Sequence, residues 1–154
     1  MYLIQGLVLG ILLWCAHLGE SCFPVHPTSP PPTSSPKAEI TAECLQCICK
    51  VESICNLEIG CDSAVEPEKC GPYQLTEAYW EAGGSHGEDW RSCAQDKTCA
   101  EDTIKCYLGQ HDIFDSPTCE DWARFYHGGP DGMNSASADT YWNRVRAQGC
   151  SELN

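Results

Sequence analysis

Cysteine density is the feature that most constrains what this chain can fold into. Thirteen of its 154 residues are cysteine, and eleven of these lie between Cys44 and Cys150. Such a density is typical of exported domains stabilised by disulfides, because cytosolic thiols stay reduced. The spacing Cys44-x-x-Cys47-x-Cys49 could also suit a zinc ion. Export makes paired disulfides the better interpretation, so we expect no metal site and no cofactor.

The number of cysteines in this region is odd, and eleven thiols cannot all pair with one another. Either one thiol stays free, or Cys22 joins the set, or a partner chain supplies the twelfth. The sequence leaves these alternatives open. The cysteines predicted to form disulfides are Cys44, Cys47, Cys49, Cys55, Cys61, Cys70, Cys93, Cys99, Cys106, Cys119 and Cys150.

The first forty residues divide into two segments of different composition. Residues 1–21 begin with an apolar run that is too short to span a bilayer, which predicts a secretory signal peptide. Residues 22–40 hold six of the ten prolines and a Ser/Thr run, which predicts a linker. Residues 41–154 then form one domain of about 115 residues. We expect a secreted, extracellular protein.

The formal net charge of −13 limits the partners of this protein. A strongly acidic chain is repelled by nucleic acid and by anionic membranes. We therefore expect no nucleic-acid partner and no membrane association after removal of the leader. Like charge also slows an approach to other anionic surfaces. No pattern in the sequence indicates an oligomeric state.

Helix signals recur along the domain, each with a capping residue before it or a glycine after it. The region from 56 to 75 has no helical period and predicts a short hairpin or loop. The fold class is therefore α+β and mostly helical, with a small β or irregular lobe. The predicted helices are 42–53 after Thr41, 77–82 after Thr76, 97–108, 120–127 after a start signal at 115–117, and 138–148.

A series of distinctive motifs follows in order along the chain. They are CLQCICKVES at 44–53, CGPYQ at 70–74, EAYW at 77–80, WRSCA at 90–94, Ala123-Arg124, GGPxG at 128–132 and YWNR at 141–144. Together these motifs resemble the invertebrate-type (destabilase-like) lysozymes. The resemblance covers the chain from about Cys44 to Cys150 and implies a small, disulfide-rich, lysozyme-like domain with a cleft between helices and a β region.

The resemblance implies that Glu52 is the general acid of a glycosidase. Cleavage of a glycosidic bond needs one protonated carboxyl group for the leaving oxygen and one ionised carboxylate for the sugar cation. Ile48 and Val51 are apolar neighbours that would raise the pKa of Glu52 by desolvation. From composition alone Glu52 would be an ordinary solvated helix residue.

The second carboxylate of the family is absent from its expected position. In active members it is an Asp at the third position after the cysteine that matches Cys61, and this chain has Ala64 there. Asp62, Glu66 or Glu68 could substitute if the loop shifts, and Asp62 is our candidate. Without a substitute, the loss of several kcal/mol of transition-state stabilisation would leave little turnover.

Other family features are also altered. Some members hydrolyse isopeptide bonds, but Pro67 and Lys69 stand where serines are common, and the usual histidine is Tyr126. His127 lies one step later, on a different helix face, so we predict a surface group and no isopeptidase. Three family cysteine positions are changed and one cysteine is added, so some bridges are missing or rewired; these positions are Gly83, Thr103, Met133 and Cys106.

The family's cleft region contains residues suited to holding sugar rings. Tyr73, Gln74 and Tyr79 are the predicted substrate-binding residues, because aromatic faces and amides bind sugars well. Core packing is the alternative for each of them. For Trp80 and Trp90 the core is the better prediction.

The sequence is compatible with three functions. The first is a secreted glycoside hydrolase that cuts the β-1,4 linkages of peptidoglycan between N-acetylmuramic acid and N-acetylglucosamine, for defence or digestion. The second is a weak or inactive relative that binds glycan or protein, which Ala64 favours. The third is a secreted structural or inhibitory module. The retained Glu52 motif favours the first.

Overall fold

The computed structural model describes residues 38–111 and 115–150, so the predicted leader and nearly all of the predicted linker lie outside the described residues. The described chain is mostly helical with one small antiparallel sheet, which confirms the predicted α+β class. Its elements are α1 (Ala42–Ser53), β1 (Cys61–Asp62), β2 (Lys69–Cys70), α2 (Glu77–Ala82), α3 (Trp90–Gln95), α4 (Lys97–Gly109), α5 (Cys119–Gly132), α6 (Ala136–Val145) and a π-helical turn (Arg146–Cys150).

Side-chain caps set most helix starts, as the sequence predicts. Thr41 and Thr76 accept the backbone N–H groups of Cys44 and Tyr79, and so satisfy donors that the first turns of α1 and α2 leave free. The short helix α3, which Asp89 caps, is absent from the predicted set.

The two last helices differ from their predicted limits. α5 begins after Thr118, where a reciprocal capping box with Asp121 satisfies two backbone donors, rather than at the upstream Ser-Pro signal. α6 ends at Val145 and passes into the π-helical turn, in which Gly149 has a φ of +96°. A left-handed glycine is the usual way for a helix to end.

Two long-range disulfides tie α1 to the end of the domain. Cys44–Cys119 joins α1 to α5, and Cys47–Cys150 joins α1 to the π-helical turn, across 75 and 103 residues of sequence. Closing loops of this length stabilises a fold by about 4 to 5 kcal/mol each in the chain-entropy account. Three short bridges are local: Cys49–Cys55, Cys61–Cys70 and Cys93–Cys99.

All eleven described cysteines are disulfide-bonded, Cys106 included. None of these eleven cysteines is therefore a free thiol. Their bonded state also removes the zinc alternative at Cys44, Cys47 and Cys49, since zinc needs thiolates.

The core surrounds α1. Leu45 and Ile48 of this helix are fully buried and belong to one cluster with Leu75, Phe125 and Val145. α1 contacts α5, α6 and the π-helical turn. Across the described ranges, no helix is both long and apolar enough to cross a membrane.

Two of the altered cysteine positions touch each other. A Cβ atom added to Gly83 would lie 2.5 Å from Cγ2 of Thr103, so the backbone of one packs directly on the side chain of the other. Thr103 is fully buried. Close packing therefore fills the place where the family resemblance puts cysteines.

We predict that Gly71→Ala destabilises the fold strongly. Gly71 has a φ of +71°, and an added Cβ would lie 1.7 Å from the backbone oxygen of Ala94. The free energy of unfolding should fall by about 3 kcal/mol or more, measured by denaturant unfolding. The control is Gly109→Ala, because a Cβ there meets nothing within 4 Å. Equal stability of the two variants would contradict the prediction.

Candidate active site

A cavity of about 240 Å³ opens where the end of α1 meets the β hairpin, the start of α2 and α5. Its wall combines one carboxyl group, one ammonium group, two tyrosines and one imidazole. The lining residues are Glu52, Lys69, Gln74, Leu75, Thr76, Tyr79, Tyr126 and His127.

Glu52 is the next-to-last residue of α1, and its carboxyl group is largely desolvated. Tyr141 of α6 donates a hydrogen bond of 2.7 Å to its Oε1. Burial raises the pKa of Glu52 above its ordinary value, although the Tyr141 hydrogen bond and the charges of Lys69 and Arg144 lower it. A group of this kind stays protonated to higher pH than a solvated glutamate, as a general acid requires.

Aromatic rings support this carboxyl group. The Tyr141 ring stacks on the His127 ring at 4.4 Å between centroids, and Tyr126 lies 5.4 Å from Tyr79. The hydroxyl group of Tyr79 is buried and has no hydrogen-bond partner within the described residues. A buried donor without a partner is uncommon, and a ligand in the cavity would supply one.

The charges around Glu52 are cationic. Lys69 lines the same cavity, and the guanidinium of Arg144 donates to the Val51 backbone oxygen at 2.9 Å, close behind the acid. Of the residues that line the cavity, Glu52 is the only carboxylic acid. Two neighbouring carboxylates would raise each other's pKa, whereas the charges that act on Glu52 lower its pKa.

Asp62, the predicted substitute carboxylate, lies beside the cavity and does not line it. It pairs with Lys69 across the β1–β2 hairpin, and directly paired residues share a face of a sheet. The side chain is exposed, and its Oδ1 accepts the backbone N–H of Ala64 at 3.0 Å. Asp62 therefore belongs to the turn that Ala64 also occupies.

The other two substitutes face a different cavity. Glu66 and Glu68 line a neighbouring cavity with Trp90, and Glu68 pairs with Arg91 at 2.5 Å. Glu68 also lies close to the sulfurs of Cys61 and Cys70. These sulfurs bond to each other, so they are not thiolate ligands for a metal.

Two of the three predicted sugar-binding residues line the cavity, and the third lies in the core. Gln74 and Tyr79 line the cavity, and Gln74 Nε2 donates to the Gly71 backbone oxygen at 2.9 Å. Tyr73 is fully buried, and its hydroxyl donates to Glu101 at 2.6 Å. The structure therefore assigns Tyr73 to the core rather than to a ligand-binding surface. Trp90, 5% exposed, also lies in the core.

Sequence reasoning missed His127 and Lys69 as members of the cavity. His127 is exposed, as predicted for a surface group, yet its ring lines the cavity and its Nε2 lies 2.8 Å from Ser137 Oγ. Partial burial, Lys69 and Arg144 lower the pKa of His127, which favours the neutral imidazole. Helical spacing gave no signal, because adjacent residues on a helix point about 100° apart, yet Tyr126 and His127 both line the cavity.

A family model described as Destabilase matches residues 41–148. The chain belongs to this family. Lysozyme 1 of Crassostrea virginica is 40% identical over 113 residues, which are 72% of this chain and 61% of that protein. The chain thus spans less than two thirds of that relative. A lysozyme of Magallana gigas is 41% identical over 117 residues, which are 74% of this chain and 84% of that protein.

The Destabilase fold is also seen in solved structures. The lysozyme of Meretrix lusoria, in complex with PliI of Aeromonas hydrophila, superposes with a TM-score of 0.67 at 36% identity, over 75% of this chain and 96% of that one. These matches confirm the predicted family and the lysozyme-like fold. They support a lysozyme-like function and do not favour the inactive alternative.

We predict that Tyr141→Phe raises the pKa of Glu52 further, because the lost hydrogen bond favours the ionised carboxylate. Carboxyl carbon NMR titration measures the shift.

Since the folded chain holds the Glu52 proton more tightly than the unfolded chain, the stability contributed by this group is full at low pH and is lost as pH rises through the raised pKa.

The matched control for this titration is Tyr73→Phe, which removes a buried hydroxyl that bonds to Glu101 instead. It should leave the Glu52 titration unchanged. A lower pKa of Glu52 in Tyr141→Phe would contradict the prediction.

Proposed function

We propose that this protein is a secreted, lysozyme-like glycoside hydrolase that cuts peptidoglycan, with Glu52 as its general acid. The observation that carries the proposal is the desolvated Glu52 carboxyl group in the wall of an open cavity. The names of the relatives support the same activity. The eleven disulfide-bonded cysteines support export, because such bonds persist in oxidising compartments.

The proposed reaction transfers the proton of Glu52 to the glycosidic oxygen while the bond from that oxygen to the anomeric carbon breaks. The sugar retains positive charge, and the departing sugar gains a hydroxyl group. Water adds to the anomeric carbon and releases one proton, which restores Glu52. Gln74 and Tyr79 are the proposed contacts with the sugar, since both line the cavity.

Asp62 is the proposed partner for the positive charge on the sugar, acting from the side of the hairpin that it shares with Lys69. Its exposure and its hydrogen bond to Ala64 make this a weak interaction, because a solvated charge acts through a high effective dielectric constant. We therefore propose slow turnover in comparison with a site that has two carboxylates in its cavity.

We predict that Glu52→Gln lowers the rate of cell-wall clearing by about 100-fold or more, since an amide cannot donate the proton. The assay is the fall in turbidity of a bacterial wall suspension with the oxidised domain. The control is Glu43→Gln, an exposed carboxylate in the first turn of the same helix. If wild type and Glu52→Gln clear walls equally, Glu52 is not the acid.

Ala64→Asp should raise the clearing rate at least ~10-fold, because it restores a carboxylate at the family position. Asp62→Asn should lower the rate by less than about tenfold, given the exposure of this group. Ala64→Asn is the matched control of similar size without charge. An inert wild type that becomes active only as Ala64→Asp would overturn the hydrolase proposal and favour an inactive relative that binds glycan or protein.

A further inference from the structure

The ammonium group of Lys69 forms no ion pair and no hydrogen bond among the described residues. It lines the Glu52 cavity, where its charge acts on Glu52. Its cross-strand neighbour Asp62 directs Oδ1 to the Ala64 backbone N–H instead. The Glu52 carboxyl group is the nearest acid in the cavity wall, and desolvation favours its neutral form. Lys69 in the wall and Arg144 behind the acid therefore place positive charges at this cavity, in a protein of net charge −13.

The rest of the wall is built to hold a polar ligand. The buried Tyr79 hydroxyl has no hydrogen-bond partner in the part of the chain that the structure describes. The Nε2 group of Gln74 donates to the Gly71 backbone oxygen, which leaves the Gln74 amide oxygen as an acceptor. Thr76 adds a hydroxyl to the lining. A ligand that enters this cavity meets hydrogen-bonding groups as well as the ammonium group of Lys69.

The geometry points to Lys69 as a specificity residue that binds a carboxylate of the glycan substrate, so that acidic glycans are preferred over neutral ones. This inference rests on the proposed function, since it names the substrate class of the same cavity. Lys69 is exposed and also lines the cavity, and an ammonium group in this position can bind a ligand carboxylate through charge-assisted hydrogen bonds. A neutral chain of N-acetylglucosamine has no group that would balance this charge.

Two parts of peptidoglycan can supply the carboxylate. In a glycan without peptides, the lactyl group of N-acetylmuramic acid ends in a free carboxylate. In a glycan with peptides, this group is an amide, and the free carboxylates lie on the peptide stem. Both sources share the same chemistry at Lys69, and the choice of ligand separates them.

The test measures binding by calorimetry in a Glu52→Gln background, which prevents turnover and keeps the acid neutral. The ligands are chitotetraose, a peptide-free tetrasaccharide of alternating N-acetylglucosamine and N-acetylmuramic acid, and the same tetrasaccharide with peptide stems. Lys69→Met should weaken binding of at least one acidic ligand about tenfold or more, since a hydrogen bond to a charged group is lost. Chitotetraose affinity should change less than about twofold.

Two further variants make the result specific. Lys69→Arg should recover most of the affinity, because it restores the positive charge. Lys50→Met removes an exposed lysine of α1 that does not line this cavity, and should leave all three affinities unchanged. If Lys69→Met loses affinity for the peptide-free tetrasaccharide, Lys69 binds the lactyl carboxylate. If this variant loses affinity only for the peptide-bearing tetrasaccharide, Lys69 binds a carboxylate of the peptide stem.

Failure of this inference and failure of the hydrolase proposal give different results. If Lys69→Met weakens all three ligands equally, or none of them, the inference is overturned, whatever wild-type turbidity clearing shows. If wild type clears no walls but Lys69→Met selectively loses the acidic ligands, the hydrolase proposal fails and the carboxylate site stands.

Discussion

The attachment of α1 to the rest of the domain is the constraint on which the site depends. Cys44 and Cys47 bond this helix to α5 and to the π-helical turn. Glu52 lies about two helical turns beyond Cys44, at 3.6 residues per turn. Because a short helix behaves as a rigid body over this distance, fixing its start also fixes the acid. The bridges and the core together offset the cost of desolvating a carboxyl group.

The same tethering explains how α6 contributes to the site. Cys150 anchors the segment that follows α6, and Tyr141 of that helix donates to Glu52. A hydroxyl that ties two helices together holds the carboxyl group in one orientation, which a proton donor requires. The His127 ring stacks on the Tyr141 ring and restricts it further.

Features that follow from local sequence could be predicted. The caps at Thr41 and Thr76 and the position of Glu52 near the end of α1 depend on neighbours within one or two turns. The disulfide-bonded state of the cysteines follows from their number and from export, although two of the bridges span 75 and 103 residues. Tyr73 was predicted to bind substrate, whereas it lies in the core and donates to Glu101, which is 28 residues away; contacts this distant along the chain are not visible in local sequence. Lys69 was missed because strand register decides which face its side chain occupies.

Relative to the family pattern, Ala64 removes a negative charge and Lys69 adds a positive charge. Both differences change the electrostatics of the cavity in the same direction. In an empty cavity Lys69 lowers the pKa of Glu52 and so works against the protonated form. A bound carboxylate would neutralise the ammonium group and remove this effect. Glu52 would then hold its proton more firmly when an acidic glycan is in place than when the cavity is empty. Binding and protonation of the acid are thermodynamically coupled in this arrangement, and a neutral glycan gains nothing from it.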